Sequence, residues 1–210
     1  SLERFKRDFE TIDSFVPNTN FKYHAACYLT HSSIEATNAL RAEHNLQSSD
    51  VSNIEIKVDG GHFKVCNIEE PGTGLEAKFS LRFATAMALH GVDTAGIDSF
   101  NDDIIHDSAL IATSNKASVV AFDVPTAETR VTITTTDGRT LTKEDDISIP
   151  LRDLDLQWQK LETKFRSLVD PLVGSNTSEL LISWCRDLEN RENLSEFWRM
   201  LRGQPLESTP

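Results

Sequence analysis

Strand-like sequence is confined to the middle of this chain, and helical periodicity occupies both ends. From Val51 to Val58, Ile54, Ile56 and Val58 point one way and Glu55 and Lys57 the other, the two-residue alternation of a half-buried strand. Phe63, Val65 and Ile68 continue the pattern after a Gly60-Gly61 turn. Val119, Val120 and Phe122 suggest a further strand, and Arg130 to Thr136 is rich in β-branched residues. Asp137-Gly138 is a hairpin signal, with Arg139 to Thr142 as the return strand. Around this middle, helices are predicted over residues 2–12, about 25–45, 76–90 and 102–115. Leu154, Trp158, Leu161, Phe165 and Leu168 then recur at helical spacing, followed by segments over 178–188 and 194–201. All three Trp lie in this last quarter. Such an order predicts an α+β fold. Its centre is a two-layer α/β sandwich with a mixed or antiparallel sheet and helices on one face, followed by C-terminal helices.

Composition narrows the partners. The 210 residues carry a formal charge of −12, which repels phosphate backbones, so no nucleic-acid partner is expected. The apolar runs are far shorter than the ~20 residues of a membrane span, so no membrane partner is expected either. Cys27, Cys66 and Cys185 are scattered and odd in number, which points to a reducing, cytoplasmic location rather than a disulfide framework or a zinc site. His62, His90 and His106 lack ligand spacing, and no metal site is assigned. The run Lys143-Glu144-Asp145-Asp146 reads as a solvated loop. Because the chain opens on Ser1 in the middle of a helical pattern, it reads as a piece of a longer protein.

Few residues stand out chemically. Lys22 precedes a helix, and taken alone it reads as a surface charge. His31 lies four residues after Cys27 on the expected helix face, where it is either a half-buried histidine or an acid/base group. His24 reads as solvent-exposed. Lys78 and Arg82 fall at i and i+4 of the 76–90 helix, either as a solvated stripe or as a basic spot facing an anion.

Several stretches together resemble the MmgE/PrpD family, which includes 2-methylcitrate dehydratases, cis-aconitate decarboxylase and an iminodisuccinate epimerase. They are Phe21-Lys22-Tyr23-His24-Ala25-Ala26-Cys27 with Thr30-His31, Ile54 to Val58, Gly74 to Ser80, the Val131…Asp137-Gly138-Arg139 strand-turn, and Lys164-Phe165. Their order and spacing span roughly 180 residues. The resemblance implies the C-terminal portion of a longer protein. Residues 1–18 would end a helical domain, 19–152 would form the α+β domain, 153–202 would return to the helical domain, and 203–210 would be a disordered tail.

The resemblance also implies a cofactor-independent lyase acting on a small di- or tricarboxylic acid. Its chemistry is removal of a proton α to a carboxylate with loss of water, or a related decarboxylation or epimerisation. Lys22 and His31 would be catalytic, and Lys22, His24, Cys27, Lys78 and Arg82 would bind substrate. Cys27 stands where some members carry His, and Phe63 where some carry Tyr. A missing N-terminal helical domain and a homodimer of the intact protein are further expectations, and the isolated 210-residue chain would be inactive. The competing expectation is a non-catalytic α+β binding or assembly module, since without the resemblance no compact catalytic constellation is visible.

Overall fold

A computed structural model describes residues 19–123 and 127–203. The expected helix at 2–12 and tail at 204–210 lie outside the described residues. Among the described residues the sheet has four strands: β1 (Val51–Val58), β2 (Ala117–Ala121), β3 (Glu128–Thr135) and β4 (Thr140–Asp146). Their order is β2-β1-β3-β4, with β1 parallel to β2 and antiparallel to β3. The sheet is therefore mixed. Alternation along β1 and β3 sends Ile54, Ile56, Val58, Val131 and Ile133 to a single covered face, where all five are buried. Register matches Ile54 with Ala117 and Ile133, and Ile56 with Val119 and Val131. Burying each such side chain stabilises the fold by about 1.5–3 kcal/mol.

Two helices cover this face. They are α1 (His31–His44) and, after the short α2 (Gly74–Ala77), α3 (Leu81–Leu89). Leu40 of α1 and Leu81 and Leu89 of α3 join the sheet residues in one cluster. The other side of α3, with Phe83, Ala84 and Met87, packs on Ile34, Phe100, Ile105 and Leu110. Leu110 belongs to α4 (Ser108–Ser114). The nearly all-apolar sequence of α3 follows from this position between two clusters.

Four local expectations are corrected. The helix expected from about 25 begins only at His31, after a 3-10 turn at Tyr28–Thr30. Cys27 is extended, and its N–H donates to the Lys78 carbonyl at 2.9 Å instead of entering a helix. The 76–90 helix is broken at residues 78–80. Ser80 is extended and its hydroxyl accepts from the Phe83 N–H at 3.2 Å, so that it caps a new helix. The segment 66–68 takes up the backbone in between, with Leu81 N–H donating to Cys66 O and Ile68 N–H to Phe79 O. No strand forms at Phe63. His62–Lys64 is a 3-10 turn, and β1 pairs instead with the distant β3. The acidic run Lys143 to Asp146 is no loop but the end of β4, where Arg130 pairs with Glu144 across the strands.

Two glycines are required by geometry. A Cβ on Gly74 would lie 2.3 Å from the Phe100 carbonyl oxygen, and Gly91, just past α3, has φ of +71°.

The C-terminal helices are α5 (Leu154–Val173), α6 (Ser175–Arg186) and α7 (Ser195–Leu201). Asp153 caps α5 by accepting from the Leu156 N–H at 3.0 Å. Their shared core is Leu181, Trp184 and Met200, with Phe165, Val169 and Phe197 against it. Polar ties join α5 to the layer: Lys160 to Glu35 at 2.6 Å and Ser167 to Asp93 at 2.6 Å. Among the described residues no helix is long and apolar enough to cross a membrane.

Candidate functional site

Lys22 is exposed on the irregular segment that leads into Cys27. Its carbonyl accepts a hydrogen bond from the Lys164 ammonium, which reaches across from α5. In the sequence Lys164 enters only through the Lys164-Phe165 piece of the resemblance, without a site role, because 142 residues separate the two lysines and only the fold joins them. Burial and the Lys22 charge push the Lys164 pKa down. Neither lysine has an acidic partner within salt-bridge distance among the described residues. On a chain of net charge −12, this pair is a local cationic spot.

Behind it stands His31 at the start of α1. Its side chain exposes no surface, and neither ring nitrogen makes a hydrogen bond of good geometry among the described residues. Its ring lies 4.9 Å from the His24 ring, edge to face, and 5.9 Å from Tyr28. Burial first, then the neighbouring His24 and Lys22, push its pKa down to about 3. His31 is therefore a neutral imidazole at neutral pH.

His24, expected at the surface, is buried. Both nitrogens are engaged, with Nδ1 2.7 Å from the Thr94 hydroxyl and Nε2 3.1 Å from Glu35 Oε1. A carboxylate only accepts, so in the neutral ring Nε2 carries the proton and Nδ1 accepts from Thr94. Burial pushes the Glu35 carboxyl up, but hydrogen bonds from His24 and Lys160 outweigh it and bring its pKa down to about 2. This Thr94–His24–Glu35–Lys160 chain fixes the loop before α1 against α5, and with it the position of Lys22 two residues earlier.

Cys27 is half-buried and near enough to Lys22 for that charge to favour its thiolate. Its sulfur lies 3.2 Å from that of buried Cys66, a contact with no signal in the sequence.

Lys78 and Arg82 do not share a helix face, because the chain breaks between them. Lys78 is half-buried, with Nζ 5.7 Å from the Phe100 ring centroid. All three kinds of Arg82 nitrogen are engaged. Nε donates to Ala117 O at 3.1 Å, Nη1 to Asn67 Oδ1 at 3.1 Å and Nη2 to Glu69 at 3.0 Å. That side chain ties α3 to β2.

The structure thus brings together Lys22, His24, Cys27 and His31, adds Lys164, and sets Lys78 and Arg82 to other work. Two clefts of about 340 and 380 Å³ run along the seam between α5 and the layer. Neither is lined by Lys22, Cys27 or His31. The first carries Glu35, Glu144, Asp145 and Asp146 against Lys160 and Arg152, so acidic groups outnumber basic ones along it. Among the described residues, no three His, Cys, Asp or Glu side chains are gathered as a metal ion would need.

None of the curated proteins compared with this chain matches it. A family model described as the MmgE/PrpD C-terminal domain matches residues 24–189, which takes in the sheet, α1 to α6 and most of the site just described. By that match, the chain belongs to the MmgE/PrpD family.

Proposed function

We propose that the chain is the C-terminal region of a lyase that removes a proton α to a carboxylate of a small di- or tricarboxylic acid, with loss of water. The observation that supports this reading is the pair Lys22 and Lys164, two cations that have no acidic partner among the described residues of an acidic protein. Proton loss beside a carboxylate builds negative charge on that group. Fixed ammonium groups aimed at it stabilise the charge more in the transition state than in the ground state. In this scheme Lys22 holds the substrate carboxylate. Lys164, whose ammonium form is disfavoured by burial and by Lys22, is the group better suited to exchange a proton. His31 is a positioning residue in this scheme, acting through its ring contacts with His24 and Tyr28.

The division into an α+β domain over 19–152 and returning helices over 153–202 belongs to the same proposal. Leu154, Leu172, Leu180, Leu188 and Trp198 are exposed on or beside those helices and would seat an N-terminal helical domain. The intact protein would be a homodimer, and the isolated 210-residue chain would bind substrate without turning it over.

A second reading, a non-catalytic binding module, is favoured by one observation: fully buried His31 can touch no substrate in this arrangement.

Thermal unfolding with 2-methylcitrate or citrate separates these readings from a chain without an anion site. The expected result is a rise in Tm at low salt that is abolished in Lys22→Ala and reduced in Lys164→Ala. An unmoved Tm in the unsubstituted chain removes both readings. Among proteins that bind, turnover of 2-methylcitrate by the longer protein, lost in Lys22→Ala, selects the lyase over the module.

A further inference from the structure

Cys27 and Cys66 are held by independent backbone anchors with their sulfurs facing. The Cys27 N–H donates to Lys78 O at 2.9 Å, and its carbonyl accepts from the Thr30 N–H at 3.0 Å and the Thr30 hydroxyl at 2.8 Å. The Cys66 N–H donates to His62 O at 2.8 Å, and its carbonyl accepts from the Leu81 N–H at 2.9 Å. Between these anchors the sulfurs lie 3.2 Å apart, with the Cys66 thiol donating to Cys27 Sγ. A disulfide needs about 2.05 Å, so closing it requires the sulfurs to approach by roughly 1 Å.

The two thiols are unlike. Cys66 exposes no surface and sits in the core cluster of the sheet, whereas Cys27 is half-buried and rests against that cluster. A small solute in water can reach Cys27 but not Cys66.

We infer that Cys27 and Cys66 form a peroxide-reactive dithiol, in which Cys27 is oxidised first and Cys66 then closes a disulfide on it. The oxidant is a hydroperoxide. In the first step the Cys27 thiolate attacks the outer peroxide oxygen. A sulfur–oxygen bond forms, the oxygen–oxygen bond breaks, and the departing alkoxide or hydroxide takes a proton from water. In the second step Cys66 sulfur attacks Cys27 sulfur. The sulfur–sulfur bond forms, and the sulfenic oxygen leaves as water with the proton Cys66 releases. Two thiols lose two electrons in all, and the peroxide gains them.

Electrostatics agree with this division of roles. The hydrogen bond from Cys66, helped by the Leu29 backbone N–H and the Lys22 charge, outweighs burial and draws the Cys27 thiol down to about 6. The same contact, together with burial, pushes Cys66 up. The thiolate is thus on the accessible sulfur and the proton on the buried one. This inference stands whether or not the protein is a lyase.

Exposed Cys185 on α6 is an internal control. The 210-residue chain is treated with hydrogen peroxide, and the products are followed by intact mass and peptide mapping. The unsubstituted chain is expected to lose about 2 Da and to yield one cross-linked peptide pair holding Cys27 and Cys66. Cys66→Ser is expected to stop at a sulfenic acid on Cys27, about 16 Da heavier and trapped by dimedone. Cys66→Ala, which keeps the core apolar but removes the hydrogen bond to Cys27 Sγ, gives the same adduct more slowly. Cys27→Ser forms neither product. Cys27 should oxidise at least about tenfold faster than Cys185. The inference is overturned if Cys185 is oxidised before any Cys27–Cys66 pair appears. It is also overturned if Cys27→Ser consumes peroxide at the unsubstituted rate.

Discussion

The α+β layer and the C-terminal helices are built to different depths. In the layer, fourteen buried residues form one cluster that joins three strands to α1 and α3, and a second cluster sits on the far side of α3. Among the described residues, the buried members of the cluster shared by α5, α6 and α7 are Leu181, Trp184 and Met200. Large apolar side chains such as Leu172, Leu180 and Trp198 remain in water. Helices of this length owe most of their stability to tertiary packing. The layer therefore has the deeper core, and the helices owe more of their stability to contacts with it.

Substitutions test that contrast directly. Ile56→Ala removes a fully buried side chain from the central strand and should cost about 4 kcal/mol in urea unfolding, felt at every amide of the layer. Trp184→Ala should instead release amide protection in α5, α6 and α7 and leave β1 protected in hydrogen exchange. Equal loss of protection in β1 after Trp184→Ala would mean that the two regions fold as one, and the contrast would be broken.

Acid should weaken the layer next. His31 has a folded pKa of about 3 against 6.5 unfolded, so its contribution is complete above pH 6.5 and is lost as the pH falls toward 3. Glu35 has a folded pKa of about 2 against 4.5, so its share is complete above 4.5 and is lost toward 2. The difference corresponds to about 5 kcal/mol at His31 and about 3 kcal/mol at Glu35. Urea midpoints measured from pH 7 to pH 3 should fall throughout that range. In His31→Leu they should be flatter between pH 6.5 and 4.5 and still fall below that. A His31→Leu profile that overlays the unsubstituted one would show that the imidazole is not the sensor.

The smallest effect is expected at the exposed pair of Lys143 on β4 and Glu43 on α1. Water screens such a pair, so Lys143→Ala should leave the urea midpoint unchanged. A measurable drop would mean that α1 is held to the sheet by more than its apolar face.

The strands were legible where one face is buried and the other wet. β1, β3 and the Asp137-Gly138 turn follow from alternation and from a glycine at φ +88°. The breaks at Cys27 and at residues 78–80 were not, because helical spacing continues through both. Each break exists only because a distant segment takes the backbone hydrogen bonds. Ser80 did carry a readable sign, a capping residue three positions before Phe83. In the candidate site, Lys22, His24, Cys27 and His31 belong to one contiguous motif, so their closeness is legible from the sequence. Lys164 and Cys66 reach it from 142 and 39 residues away, and neither spacing nor residue type announces such a meeting.

β4 is an outer strand of the sheet, with only β3 beside it among the described strands. An open strand edge is a template on which a second copy of the chain can add its own strand. Here that edge ends in Lys143, Glu144, Asp145 and Asp146, and a copy docking antiparallel or in register would bring like charges together at the cost of their hydration. The acidic run thus works against strand addition by a second copy, and Thr or Val in its place would leave the sheet's outer margin more adhesive.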